Sequence, residues 1–426
     1  MAVNSTPAGL ANGPDSKEHG GLVVGAAGLM AAGFLTTFLS PMLAVSFAEE
    51  FHFGIGPAGL LVACGQGGVV LSALGVLPFL PRLDRRRVGT AGALTVAVCL
   101  ALTGFATGYG QVLTLQVMMG LGAGLCYACA NSALAYARFR ERAFSIVTIT
   151  WMLVGATMLT LGPTLADAWP KVGIYLGMAA AVLLCIIFIV RLPDVRDLPE
   201  DDPSVPRPEE QVVGQGDSPD GIAAGPRGRL GIYGPAVLLI GAMWLLEFGN
   251  VMVWTFAGPI GEQAKLSVQN TATFLGMSQL IGLVGAGITL AFGAKVPKMV
   301  LIVPAVLALG VGNLLVGTAT SPAPFMVGFL AINLAFFCVT PLLLALAADL
   351  DTSSGRLVVL VGGAALVAGA FAPAIGGWIA GADGQWPRLG LAALAVVLLA
   401  LPLLVLPVRI ARRRMAFAAG EGAQAR

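Results

Sequence analysis

Long apolar runs broken by short polar or charged clusters recur along the whole chain, and their spacing predicts a series of membrane-crossing helices. A bilayer core of about 30 Å takes about 20 residues of helix. Windows of that length can be placed at 21–46, 56–80, 88–107, 111–136, 143–167, 172–191, 231–257, 268–292, 298–319, 323–348, 356–381 and 388–408, twelve in all. One intervening segment is long. Residues 192–229 are rich in Pro, Gly and acids and lack apolar periodicity, so a flexible linker is expected there. The implied layout is a disordered tail (1–20), a six-helix half (21–191), the linker (192–229), a second six-helix half (230–408) and a basic tail (409–426).

Composition places the helices in a bilayer. Of 426 residues 57% are hydrophobic and 11% charged, against about 25% charged in soluble domains, and the mean hydropathy is +0.88. The 57 glycines suit helices that must pack backbone to backbone, because lipid gives no hydrophobic drive for their association. Residues 1–20 lack the basic start and cleavage site of a secretory signal, so the first span is expected to act as an uncleaved anchor.

Charge distribution then orients the spans. With the N-terminus in the cytoplasm, only Lys171, Lys265 and Arg388 fall outside, which leaves 21 of the 24 Lys and Arg inside. That asymmetry predicts cytoplasmic termini in a plasma membrane. Trp169, Trp378 and Trp386 fall at the outer boundary, where an aromatic belt is expected. The six cysteines all lie in apolar runs. Cys126-x-x-Cys129 has a redox or metal spacing but no second pair and no nearby His, so small packing residues are the reading, and no metal or disulfide is expected.

The two halves carry traces of a repeat. HFGIGPAGLLVACGQ (52–66) aligns without gaps over KLSVQNTATFLGMSQ (265–279), which puts Gln66 and Gln279 at equivalent depth in the second and eighth spans. Between spans two and three the chain reads PFLPRLDRRRVG. Together, twelve spans in two repeats, a long central loop and this segment resemble the major facilitator superfamily, whose cytoplasmic motif runs from Gly through Asp and basic residues to a further Gly. Asp84 and Arg85 match the acid and following base, and Arg86 and Arg87 the basic run; Leu80 replaces the leading Gly, as in a degenerate copy resembling those of sugar and drug efflux members. The resemblance implies an all-α membrane protein of 12 transmembrane helices in two six-helix pseudo-repeats, acting as a secondary transporter and not an enzyme. It implies that spans one, four, seven and ten line a central cavity, with two, five, eight and eleven as gates. It also implies that Asp84 pairs with neighbouring helix ends to hold the cytoplasmic gate shut. Gly155, Gly162 and Pro163 in span five partly resemble an antiporter motif, as Pro373 with Gly376 and Gly377 does in span eleven; a helix kink at a packed interface explains both as well.

Polar side chains at mid-depth are costly in hydrocarbon and so face a wet cavity or one another. Glu247, in GAMWLLEFGNVMVW, is the one acid or base placed far from both ends of its span. An ionised carboxylate there costs on the order of 3 kcal/mol, which favours the neutral acid and suits a group that loads and releases a proton. At 100° per residue Trp244, Val251, Trp254 and Gly258 share its face, with Asn250 at the edge. The other lining candidates are Thr37, Gln66, Tyr127, Asn131, Trp151, Gln279 and Asn333. Each has a structural alternative, since Asn, Thr and even a satisfied acid also bridge helices. No Lys, Arg or His lies at mid-depth, which counts against anionic substrates. Glycines 120, 122 and 124 (GLGAG) and 282, 285 and 287 (GLVGAG) suggest nucleotide loops only superficially, for no strand precedes them, and no Walker, zinc or nucleophile motif occurs.

The expectation is a proton-coupled exporter of small neutral or amphipathic compounds, with a small-molecule substrate and the lipid bilayer as partners, no nucleic acid, no cofactor and a monomeric state. Sodium stays open as the coupling ion. A proton symporter taking up an aromatic compound or sugar is the alternative, and a sensor or scaffold signalling through 192–229 a more distant one.

Overall fold

The computed structural model describes residues 14–49, 51–134, 140–193, 226–293, 295–350 and 356–424. Most of the predicted linker, residue 138 and parts of both tails lie outside these. The described chain is helical: α1 (Pro14–Phe38), α2 (Ser40–Glu49), α3 (Ile55–Val76), α4 (Arg85–Thr103), α5 (Tyr109–Leu134), α6 (Arg140–Ala168), α7 (Gly173–Ile189), α8 (Pro226–Thr255), α9 (Ala257–Gln263), α10 (Val268–Phe292), α11 (Lys298–Gly317), α12 (Pro322–Leu350), α13 (Arg356–Ala380), α14 (Trp386–Leu398) and α15 (Ala400–Gln424). Among the described residues 11 stretches are long and apolar enough to cross a membrane, and α7 is a shorter apolar helix that completes twelve crossings.

Three crossings expected to be continuous are each broken. The first divides at Leu39, the seventh at Phe256 and the twelfth at Leu399. Each break precedes a proline by two or three residues, Pro41, Pro259 and Pro402. A proline ring clashes with the carbonyl four residues back and offers no N–H, which weakens the helix enough for it to break there. By contrast α6 runs through Pro163 and α13 through Pro373 as single helices.

Close packing uses the glycines that the sequence places inside spans. A Cβ on Gly120 would stand 1.9 Å from the Gly65 carbonyl oxygen, and one on Gly124 would stand 2.3 Å from that of Val69, so α3 and α5 touch backbone to backbone. A Cβ on Gly122 would stand 2.6 Å from the Gly92 oxygen of α4. The GLGAG run is therefore a packing ridge with two neighbours. Cys126, on the same helix, is buried and donates to the Gly89 oxygen at 3.4 Å.

The start of α1, the end of α15 and the turn carrying Arg82 and Arg85 to Arg87 share one face of the bundle, called here the terminal face; the opposite one is the far face. The halves press together at the far face. A Cβ on Gly59 of α3 would lie 2.5 Å from the Pro373 oxygen of α13, and one on Gly276 of α10 would lie 2.8 Å from the Ala156 oxygen of α6. Gln269 Nε2 donates to the Thr160 oxygen at 3.0 Å across the same seam. Towards the terminal face the contact relaxes, and a Cβ added to Gly362 or Gly369 of α13 would meet nothing within 4 Å. The expected aromatic belt is only partly present. Trp169 and Trp378 are 60% and 81% exposed, whereas Trp386 is buried at 6% and packs on Phe256 with ring centroids 5.8 Å apart.

Candidate functional site

The seventh crossing supplies one wall of the site. On α8 the residues Met243, Glu247, Asn250, Val251 and Trp254 turn towards the middle of the bundle. Their spacing of three, four and seven keeps them within one helical face. Trp244, 60° from Glu247 on the side away from Asn250, falls outside that face and stacks on Phe248 at 4.7 Å. Gly258 lies beyond the break at Phe256 and packs against Val45. The expectation that Glu247 sits between two cavity tryptophans is thus corrected to one, Trp254.

These residues face a cavity of about 320 Å³ between the halves. Its wall comes from α1, α2, α3, α5 and α6 on one side and α8, α10, α12 and α13 on the other, so the second, fifth, eighth and eleventh crossings line it along with the first, fourth, seventh and tenth. Thr37, Gln66, Tyr127, Trp151, Glu247, Asn250, Trp254, Gln279 and Asn333 all reach it. Asn131 does not; its amide turns back on its own helix and donates to the Tyr127 carbonyl at 2.9 Å.

Polar groups in the cavity differ in how well they are satisfied. Thr37 Oγ1 donates to Gln66 Oε1 at 2.9 Å. Asn333 Nδ2 donates to Ser278 Oγ at 3.1 Å and to the Phe329 oxygen at 3.0 Å. Glu247 Oε2, Gln279 Oε1 and Thr340 Oγ1 are buried with no hydrogen-bond partner among the described residues. Unsatisfied buried polar atoms are costly, and three around one cavity leave hydrogen-bonding capacity for water or a ligand. Glu247 is the one acid among the lining residues, and no Lys, Arg or His joins it.

Opposite the carboxylate runs a chain of rings. Phe34 stacks on Trp151 at 5.0 Å and meets Tyr127 edge-on at 5.3 Å. Phe38 meets Trp151 at 5.6 Å and Trp254 at 5.9 Å, which carries the ring contacts from one half to the other. The repeat offset that takes Gln66 to Gln279, 213 residues, also takes Phe34 to Glu247 and Thr37 to Asn250. Equivalent faces of α1 and α8 thus carry different chemistry, aromatic in the first half and acidic in the second.

Phe34, Phe38 and Thr340 were not among the expected lining residues. Phe34 lies three residues before Thr37 and four before Phe38, and Thr340 lies seven residues after Asn333, two turns along α12. A search along the face of each polar candidate would have found them.

Asp84 and its arginines lie at the terminal face. Asp84 caps α4: its Oδ1 accepts from the backbone N–H of Arg86 at 3.0 Å and of Arg87 at 3.1 Å, and its Oδ2 pairs with Arg87 Nε at 3.0 Å. Arg85 is buried, at 7% exposure. A capping role predicts that Asp84→Ala lowers stability by about 1 kcal/mol while Asp84→Asn keeps most of it. Thermal unfolding in detergent checks the first point; if transport is lost in Asp84→Asn with stability unchanged, the charge serves the gate as well. Between the ninth and tenth crossings Lys298 pairs with Asp349 at the same face. Pro163 lines a smaller cavity near the far face, and a Cβ on Gly162 would collide with Met42, so both pack rather than line the central site.

Two six-helix halves around a central cavity that carries a few polar groups on a mostly apolar wall are the architecture of a membrane transporter. The sequence profile described as Major Facilitator Superfamily matches residues 25–359. The chain belongs to that superfamily and is a multi-pass membrane transporter, not an enzyme. Among solved structures it is similar to a bacterial homolog of the human lysosomal transporter Spinster in an inward-facing, unoccupied conformation (14% identity, 93% of this chain and 97% of that one, TM-score 0.64). It is also similar to the nucleoside transporter NupG (12% identity, 91% and 98% coverage, TM-score 0.63) and to a D-xylose–proton symporter (16%, 90% and 95%, TM-score 0.62). At these identities the likeness is one of fold. No curated protein sequence matches the chain.

Proposed function

We propose that the protein is a proton-coupled exporter of small neutral or amphipathic organic compounds in the plasma membrane, with its terminal face in the cytoplasm. The observation that carries this reading is Glu247, the sole acid on the cavity wall, with one carboxylate oxygen buried and unpartnered. A lone carboxylate in such a place can be loaded from one side and emptied to the other as the halves rock. The substrate class follows from the rest of the wall: rings to stack on, amides and hydroxyls to bond, and no cation to hold an anionic group.

Inverted vesicles test coupling and direction together, with a panel of fluorescent aromatic dyes as probes. Acidifying the lumen should drive dye inward against its gradient, and a protonophore should stop it. Accumulation that ignores the pH gradient overturns proton coupling. Accumulation only in right-side-out vesicles with acid outside assigns uptake instead. Trp151 supplies a separate check. Its ring lines the cavity, and stacking of an aromatic substrate on it would be worth about 1 kcal/mol, so Trp151→Ala should raise the transport KM by roughly five-fold.

A further inference from the structure

The halves also meet at the far face, in an arrangement that the central site does not use. The offset of 213 residues takes Val45 onto Gly258 and Glu49 onto Glu262. α2 and α9 cross at the first pair, where a Cβ on Gly258 would stand 2.5 Å from Val45 Cγ2 and 3.5 Å from the Pro41 oxygen. Repeat-equivalent residues that touch each other lie on the axis relating the repeats. One helical turn outward, Glu49 and Glu262 are brought across that same axis.

Both carboxylates line the same two cavities, one on each side of the crossing: a chamber of about 180 Å³ against α6 and α10, and a vestibule of about 820 Å³ against α13 and the start of α14. Asp383 is the other titratable group on these walls, which hold no Lys, Arg or His. On the surrounding elements Asp167, Lys171, His52, Lys265 and Arg388 lie nearby in the chain but line neither cavity. The ion pairs among the described residues, Arg87 with Asp84 and Lys298 with Asp349, are both at the terminal face. Among the described residues no ion pair reaches Glu49 or Glu262.

The chamber holds a second sign of an unfilled site. Thr271, 3% exposed, lines it with its Oγ1 buried and without a partner among the described residues, while the hydroxyl of Ser46 on the same wall is taken up by Tyr175 at 2.6 Å. Glu49 and Glu262 are both exposed to solvent and line the same two cavities across the crossing, and like charges brought together disfavour double ionisation. Partial desolvation and the facing Glu49 carboxylate push the Glu262 carboxyl above its ordinary value.

We propose that Glu49 and Glu262 form a second proton-binding site at the far face, which holds one proton between the two halves while that face is closed. The site takes its proton from the far-side solvent as the halves close and returns it there as they part. Because the closed form binds the proton more tightly, a fall in far-side pH stabilises closure, and a rise favours opening. The proposal rests on alternating access but not on proton carriage by Glu247.

The test is distance measurement between spin labels at Thr107→Cys and Thr320→Cys, exposed far-face positions in opposite halves, in detergent between pH 5 and 8. The wild-type distance should lengthen as the pH rises. Glu49→Gln and Glu262→Gln, each carrying a neutral amide, should stay closed across the range, and the response should persist in Glu247→Gln. A wild type without pH response, or single variants that respond as it does, overturns the proposal. Closure by sodium at fixed high pH overturns it too, by assigning a metal-cation site. If the response vanishes in Glu247→Gln alone, the pH sensor is the central acid and the far-face site fails.

Discussion

Glu247→Gln leaves a folded protein that no longer moves substrate against its gradient. The amide has the shape of the neutral acid, so packing against Met243, Asn250 and Val251 on the cavity face is kept. What is lost is the ability to give up a proton. An ionised carboxylate at mid-depth costs about 3 kcal/mol, and at about 1.4 kcal/mol per factor of ten this shifts the balance towards the neutral form roughly a hundred-fold relative to water. Transport coupled to that cycle should fall to background. Exchange of labelled for unlabelled substrate at equal concentrations needs no net proton movement and should survive. Uphill transport that persists in Glu247→Gln would remove this residue from the coupling mechanism, whereas loss of exchange as well would make it a substrate contact.

The crossings were legible because a membrane helix is written in one variable, apolar length, and twelve windows of it fit nowhere else. The breaks at Leu39, Phe256 and Leu399 were less so, although Pro41, Pro259 and Pro402 stood in the sequence, because Pro163 and Pro373 stand inside helices that continue. A proline's own signal does not say which outcome its neighbours impose. Glu247 could be found because charge contrasts with its surroundings. Phe34 and Phe38 do not stand out by type, since an apolar residue in an apolar helix shows no difference between a cavity wall and lipid; only the polar Thr37 near them marks the face. Trp244 was misplaced for a geometric reason: a helical wheel centred on one residue leaves the true centre of the face uncertain by tens of degrees. The pairing of Glu49 with Glu262 needed the repeat offset together with the α2–α9 crossing, and only the fold supplies the latter.

Two glycines that look alike in sequence should behave differently, because one packs within a half and the other between halves. Gly120→Val places a Cβ where the Gly65 oxygen stands 1.9 Å away and its carbonyl carbon 2.9 Å away, both on the backbone of α3. No rotamer relieves that contact. α3 and α5 must separate along a line they also share at Gly68 and Gly124, and lipid supplies no compensating drive to hold them. Overpacking of this kind costs about 3 kcal/mol or more, so little monodisperse protein should be recovered on size exclusion and its thermal transition should fall sharply. Gly59→Val meets the Pro373 oxygen at 2.5 Å, but that oxygen belongs to the other half. Under the proposed rocking mechanism the halves part at the far face. This variant should fold with a near-wild-type transition and populate the far-side-open state, read as a longer distance between labels at positions 107 and 320 across the whole pH range. Wild-type stability in Gly120→Val would refute backbone packing between α3 and α5. A far face that stays closed in Gly59→Val would show that the seam at Pro373 is not where the transporter opens.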